Sequence, residues 1–260
     1  MIEQIRSKHG DNYSYVIYDE EIRQAILIDP VATEQIKQFL SDRNLTPEIV
    51  VNTHGHGDHT QGNSVFQIGM GARVLCHPQA KSGVGKVDET VEEGAEISVG
   101  AEKLTVIYTP GHTEGDICLR GSDYLLSGDT LFLAGCGNPK FGGDIRKLFV
   151  SIKTKLRQLP GHLKLYPGHD YAVRNLEFAQ SIEPGNELIQ RKIQKVKVAR
   201  MDGLQPSSIL EEEKKYNPFF RFDDRRFIGR LEIHPAGKNL PAEYTDWDVF
   251  KHTRELRNSW

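Results

Sequence analysis

Three features predict an α/β fold for the first two thirds of this sequence. Short β-branched runs sit between glycine-rich turns, amphipathic helical windows interrupt them, and a faint repeat relates the two halves. Strands are expected at Tyr13–Tyr18 and Ala25–Ile28, a hairpin pair, followed by a helix over Thr33–Arg43 and a strand over Ile49–Thr53. A helix over Thr60–Met70 and a strand over Arg73–His77 complete the first half. The second half reads as strands Lys103–Thr109, Ile117–Arg120 and Tyr124–Ser127, then a helix over Asp144–Gln158 and a strand over Leu163–Tyr166. That helix carries its apolar stripe at Ile145, Leu148, Phe149, Ile152 and Leu156. In the repeat, a hairpin ending in Asp29 leads through a helix to a strand ending at His54. A hairpin ending in Asp129 leads through a helix to a strand ending at His169. Two such halves facing each other would bring both histidine-bearing ends to one edge, although common βαβ patterns can also coincide by chance.

After Tyr171 the pattern changes. Residues 172–183 and 187–200 have helical periodicity and are divided by Pro184-Gly185. Ser207 or Ser208 is expected to cap an acidic helix, and a last helix runs from Asp246 to about Arg257. The chain therefore divides into residues 1–171 and a helical extension, 172–260. Its basic run, Arg191, Lys192, Lys195, Lys197 and Arg200, reads as a solvated face.

Composition excludes several classes. The chain has 260 residues, 33 Lys+Arg against 36 Asp+Glu and a formal charge of −3, a poor balance for a nucleic-acid binder. No run approaches the roughly 18 apolar residues of a membrane span. The opening MIEQIRSKHGDNYSY lacks the apolar core of a signal peptide, so a cytoplasmic chain is expected. Cys76, Cys118 and Cys136 are odd in number and far apart, as reduced interior residues would be.

The chemistry concentrates in Thr53-His54-Gly55-His56-Gly57-Asp58-His59, directly after an expected strand. Residues two apart on extended backbone project to the same side, so His54 and His56 can converge. The two glycines let the chain turn so that Asp58 and His59 point back from the next helix. Three more residues follow strands beside glycine: His112 in Thr-Pro-Gly-His-Thr, Asp129 in Ser-Gly-Asp-Thr and His169 in Tyr-Pro-Gly-His-Asp. A tetrahedral zinc uses three or four ligands, so five His and two Asp imply two metals. Only a carboxylate among these can bridge both, and Asp129 is the natural bridge because Asp58 adjoins His59. The imidazole–carboxylate set suits zinc first, and Fe or Mn as well. Thr53, Thr113 and Asp170 are candidates to orient the imidazoles.

With these residues in place the chain resembles the metallo-β-lactamase superfamily, and within it glyoxalase II, the hydroxyacylglutathione hydrolases. The pattern His-x-His-x-Asp-His followed by a distant His, Asp and His is present in order. Gly128–Gly137, His169-Asp-Tyr171 with Asn175–Ala179, Glu183–Asn186 and Tyr216–Phe219 resemble glyoxalase II in particular, as does the helical C-terminal extension. The resemblance implies a four-layer αββα sandwich with the site at one edge, residues 1–171 as catalytic domain and 172–260 as substrate-binding domain. It assigns His54, His56 and His112 to one metal, Asp58, His59 and His169 to the other, and Asp129 to both, with Asp58 and Asp129 the catalytic carboxylates. It also implies that Tyr171, Arg254 and Arg257 hold the carboxylates of glutathione, with Lys140 a further candidate for substrate binding.

The implied reaction is hydrolysis of S-D-lactoylglutathione to glutathione and a 2-hydroxy acid by a metal-bound hydroxide. A thiol of pKa about 8.5 leaves as thiolate without an obligatory acid, and the sequence has no Gly-x-Ser-x-Gly elbow. Cys136 reads as a small buried thiol. Three departures loosen the claim on glutathione: Gly55 stands where the family usually has His, the loop Asn138-Pro-Lys-Phe-Gly delays its cation to Lys140 and lacks a tyrosine, and Arg221–Tyr244 matches weakly. Another thioester such as an acyl-CoA is the first alternative, and a mononuclear-iron persulfide dioxygenase the second. The expected partner is a small-molecule thioester, with neither nucleic acid nor membrane; oligomeric state is not legible.

Overall fold

A computed structural model describes residues 1–235 and 240–260. The first half comprises β1 (Ile2–Arg6), β2 (Tyr13–Asp19), β3 (Gln24–Ile28), α1 (Thr33–Arg43), β4 (Thr46–Val51), α2 (Gly57–Thr60), α3 (Asn63–Met70), β5 (Arg73–Cys76), α4 (Lys81–Val84) and β6 (Glu89–Thr90). The second comprises β7 (Glu96–Val99), β8 (Glu102–Tyr108), β9 (Ile117–Arg120), β10 (Tyr124–Gly128), β11 (Leu131–Phe132), β12 (Gly135–Cys136), α5 (Ile145–Thr154) and β13 (Lys164–Pro167). Then follow α6 (Ala172–Ile182), α7 (Glu187–Met201), β14 (Ser208–Ile209), α8 (Leu210–Tyr216), α9 (Arg225–Ile233) and α10 (Asp246–Ser259).

Two six-stranded sheets form, ordered β1-β2-β3-β4-β5-β6 and β14-β13-β10-β9-β8-β7. Alternation along each strand sorts side chains between two cores. Ile17, Ile26, Ile28 and Val51 pack against Val106, Leu119, Leu126 and Tyr166 between the sheets. Their neighbours Val16, Leu27 and Val50 instead meet Ile36, Phe39 and Leu40 of α1 and Phe66 of α3 on the outer face. The opposite outer face, with Cys118, Leu125 and Leu165, is covered by α5 and the C-terminal helices. The result is the expected order of layers, helix, sheet, sheet, helix.

The internal repeat is real in topology. The antiparallel pair β2–β3 is followed by α1 and by β4 parallel to β3. The antiparallel pair β9–β10 is followed by α5 and by β13 parallel to β10. Parallel neighbours end at the same edge, so Asp29 and His54 emerge together, as do Asp129 and His169.

Several details differ from expectation. The helix expected over Thr60–Met70 is two, α2 ending at Thr60 and α3 starting at Asn63; between them Gly62 passes so close to the Pro30 carbonyl that a Cβ would lie 1.8 Å from its oxygen. The helix over Asp144–Gln158 ends at Thr154, and Leu156–Gln158 forms a 3-10 turn. Ser208 is not a cap: it pairs with Leu165 in β14, and α8 starts without a side-chain cap. The last helix is capped by a Thr245–Asp248 capping box. Lys192 is not solvated but buried, its ammonium on Glu212 and the Ser207 carbonyl, and Arg200 is paired with Asp170. The boundary expected after 171 falls at the start of α6, and one continuous core runs across it from the second sheet to Leu256. Part of the weakly matching segment, residues 236–239, lies outside the described residues.

Candidate metal centre

The site lies at the edge where β3, β4, β10 and β13 end. After β4, the Thr53 amide donates to Asp29 Oδ1 (2.8 Å), which fixes the turn. Extended backbone at His56 then leads into α2, so Asp58 and His59 turn back toward His54. The Asn52 side chain closes this loop on the His59 carbonyl (3.0 Å).

All five histidines have one ring nitrogen held by an oxygen acceptor. His59 Nδ1 donates to Asp29 Oδ2 (2.8 Å), His112 Nδ1 to the Asn138 carbonyl (2.8 Å) and His169 Nδ1 to Asp11 Oδ1 (3.1 Å). His56 Nε2 donates to the Phe141 carbonyl (3.0 Å). His54 Nδ1 donates to Thr53 Oγ1 (3.1 Å), whose own proton goes to Asp29 Oδ2 (2.6 Å). These bonds fix which nitrogen of each ring faces outward and leave the five remaining nitrogens facing inward, free to offer lone pairs to a cation.

The inward nitrogens gather in two groups. His54 Nε2 and His112 Nε2 lie 3.1 and 3.0 Å from His56 Nδ1. His59 Nε2 lies 3.2 Å from His169 Nε2, with Asp58 Oδ2 3.5 Å from the latter. Asp129 stands between them: its carboxylate oxygens are 3.6 Å from His112 Nε2, 3.5 Å from His59 Nε2 and 3.3 Å from His169 Nε2. At such distances two neutral ring nitrogens need a proton or a cation between them. Ligands about 2.05 Å from a tetrahedral zinc are about 3.3 Å apart, close to what is found. Asp129 Oδ1 is buried without a hydrogen-bond partner, the mark of an acceptor reserved for a cation. The donor set therefore fits two divalent ions. Asp29 also neighbours His54 and His59, but its oxygens already accept three hydrogen bonds, so it orients ligands.

Electrostatics agree. Burial would raise the Asp129 carboxyl, but His59 and His169 overcome it and hold it well below its ordinary value. Burial would lower His59, but Asp129 and Asp29 raise it to about 9. Burial and then His59 keep His54 well below its ordinary value.

Beside the ligands opens a cleft of about 730 Å³. Tyr171 stacks on His169, ring centroids 4.8 Å apart at 6°. Arg254 is buried, its Nη1 on the carbonyls of Cys136 (3.1 Å) and Gly137 (3.3 Å), and its Nε has no partner. Arg257 donates to Asn175 Oδ1 (3.3 Å); burial, then Arg254 and Arg174, lower its pKa to about 10. Arg174 also lines the cleft, and sequence reading had not singled it out. None of these three arginines is in an ion pair among the described residues. Lys140 is exposed on the turn Pro139–Phe141 and does not line the cleft; its neighbours Asn138 and Phe141 do. Cys136 is a buried thiol, pushed up to about 11 by burial. Of the residues expected to orient imidazoles, Thr53 does. Thr113 bonds Asp116 instead, and Asp170 faces Arg200 and Arg6. Asp29, Asp11 and Asn12 were not foreseen in that role. Only Asp29 carried a signal, as the counterpart of Asp129 in the repeat.

Comparison with known proteins agrees with this geometry. The family model of the metallo-beta-lactamase superfamily matches residues 8–169, and that of the hydroxyacylglutathione hydrolase C-terminus matches residues 170–260. A hydroxyacylglutathione hydrolase of Polaromonas sp. is 37% identical over 96% of this chain and 95% of its own length. One from Nitrosococcus oceani is 35% identical over the full length of both. Among solved structures, ETHE1 from Myxococcus xanthus superimposes with a TM-score of 0.68 at 26% identity, covering 100% of this chain and 99% of that one. A metallo-beta-lactamase from Staphylococcus aureus (TM-score 0.64, 21% identity, 99% of this chain and 71% of that one) shares the fold.

Proposed function

The chain belongs to the hydroxyacylglutathione hydrolase family of the metallo-beta-lactamase superfamily, and from that premise we propose that it hydrolyses S-D-lactoylglutathione with two divalent metal ions. The observation that carries this reading is the pairing of two inward-facing ligand groups, joined by Asp129, with three arginines in the same cleft that lack carboxylate partners among the described residues. In the proposed assignment His54, His56 and His112 hold one ion and Asp58, His59 and His169 the other, zinc being the first choice. Residues 1–171 supply the ligands and residues 172–260 the substrate-binding helices. When bound, the ions supply a nucleophile from water at neutral pH and polarise the acyl carbonyl.

The chain's own residues do the rest. Arg254 and Arg257 attract the carboxylates of the thiol carrier, and their charges are worth most because both are largely withdrawn from water. Tyr171, whose hydroxyl burial and nearby carboxylates keep protonated, offers a donor beside His169. No side chain has to protonate the departing thiolate. Among the described residues no helix is long and apolar enough to cross a membrane; three free buried cysteines support a cytoplasmic setting.

The test is hydrolysis by metal-analysed protein of S-D-lactoylglutathione against a panel of acyl-CoA thioesters at matched concentration. Fast turnover of the glutathione ester with about two ions per chain is expected. Preference for an acyl-CoA would move the substrate while keeping the chemistry; no thioester activity with one iron per chain would overturn the function.

A further inference from the structure

We propose that Asp11 and Asn12 are positioning residues for the second ion alone. The inference rests on the dinuclear reading above, and it begins from how the two ligand groups are assembled. Asp58 and His59 come from α2 in the first half of the fold. Their partner His169 comes from the loop after β13 in the second half. Something must keep these separate loops in register.

The segment between β1 and β2 does so. Its backbone is stitched to the His169 loop: the Tyr13 amide donates to the Gly168 carbonyl (2.8 Å), the Asp170 amide to the Asp11 carbonyl (2.8 Å), and Asn12 forms an isolated antiparallel bridge with His169. The two side chains then reach both loops. Asp11 Oδ1 accepts from His169 Nδ1 (3.1 Å), which leaves His169 Nε2 as the inward lone pair. Asn12 Nδ2 donates to the Asp58 carbonyl (2.9 Å) and to Asp58 Oδ2 (3.2 Å), and lies 3.4 Å from His169 Nε2. A neutral amide is the suitable group here: it binds one carboxylate oxygen without adding charge that would compete with a cation.

The other group takes nothing from this segment. His54, His56 and His112 are oriented by Thr53 and by the carbonyls of Phe141 and Asn138. The effect of removing Asp11 or Asn12 is therefore selective. Outer-sphere partners of a metal-bound histidine are worth about 10- to 100-fold in metal affinity, and that loss falls on one ion of the two.

The experiment strips the protein of metal and reloads it with Zn²⁺ against a chromogenic chelator, for wild type, Asp11→Ala, Asn12→Ala and Asp11→Asn. Both alanine variants should keep one ion at wild-type affinity and bind the other about 10- to 100-fold more weakly. Asp11→Asn, which retains an acceptor oxygen, should recover most of the loss. Activity lost at limiting Zn²⁺ should return at saturating Zn²⁺, which a fold defect would not allow. The melting temperature of the metal-free variants checks the fold. Should Asn12→Ala misfold, the two Asp11 variants, which alter a half-exposed side chain, decide alone. Wild-type affinity for both ions in every folded alanine variant, or equal weakening of both ions, would overturn the proposal. Wild-type protein that takes up fewer than two ions would instead sink the dinuclear reading itself.

Discussion

Asp29→Asn is the sharpest perturbation of the site, because it changes one atom and no volume. Asp29 Oδ1 accepts from the Thr53 amide, and Oδ2 accepts from both the Thr53 hydroxyl and His59 Nδ1. An asparagine has one acceptor oxygen to offer these three donors. With its oxygen at the Oδ1 position, its NH2 faces His59 Nδ1, and the imidazole must accept there, moving its proton to Nε2 and losing the inward lone pair. With the amide flipped, NH2 meets the Thr53 N–H and a buried donor is left unpaired, at about 1–3 kcal/mol. The first arrangement costs metal affinity on the order of 10- to 100-fold, which at about 1.4 kcal/mol per factor of ten is about 1.4–2.8 kcal/mol. Either cost is below the roughly 5–15 kcal/mol by which domains are stable, so the variant should fold. Asp29→Ala would strand all three donors, at about 3–9 kcal/mol, and is less informative. Asp29 also has φ +46°, which asparagine tolerates better than alanine. Chelator competition reads the affinity, and long-range ¹H–¹⁵N spectra of the imidazoles read the tautomer. Two ions held at wild-type affinity, with His59 still protonated on Nδ1, would refute the reasoning.

Loading metal at pH 7 should release protons, because His59, raised to about 9, is protonated in the metal-free protein and must be neutral to bind. Affinity should therefore fall as pH drops below about 9, and calorimetry in buffers of different ionisation enthalpy should show the release; its absence would be contrary. Gly168→Ala places a Cβ 2.2 Å from Asp129 Oδ1 and 2.9 Å from His59 Cε1, so metal content and activity should both collapse, whereas two bound ions would contradict the packing. Arg254→Ala should raise KM for the glutathione thioester more than it lowers kcat, as steady-state kinetics would show; an unchanged KM would remove this arginine from the substrate site. Burial raises the Glu213 carboxyl, so its ionisation costs stability as pH rises above its unfolded value, about 4.3. Glu213→Gln should therefore gain on wild type as pH rises above that value in urea unfolding, and parallel pH profiles would count against it.

The candidate ligands were legible because the chemistry crowds them into glycine-flanked strand ends, where histidine has little structural use. The repeat then explained the convergence, since β3–β4 and β10–β13 are parallel pairs that finish at one edge. What sequence could not supply was contact at long range. Asp11 meets His169 across 158 positions, and nothing in Asp11-Asn12-Tyr13 distinguishes it from any turn. Arg174 sits on an exposed position of α6 and looks like a solvated helix residue until the cleft forms beside it. Lys140 was placed near the substrate by resemblance, yet its 3-10 turn brings Phe141 to the cleft in its stead. β1, with alternating Ile2, Gln4 and Arg6 at an edge, has too weak an apolar pattern to be read as a strand.

The segment after β12 joins the two functions. The carbonyls of Cys136 and Gly137 hold Arg254, that of Asn138 holds His112, and that of Phe141 holds His56. Six consecutive residues thus grip an arginine from the last helix and two histidines of one metal group. Gly137 permits this approach, since a Cβ there would lie 2.2 Å from the Asp129 carbonyl and 2.8 Å from His112 Cβ. Arg254 and His112 are thus held by carbonyls of one short backbone segment. The helical extension is therefore more than a lid over a finished site. Through residues 136–141 it touches the segment that orients His56 and His112, and its core is continuous with that of the second sheet.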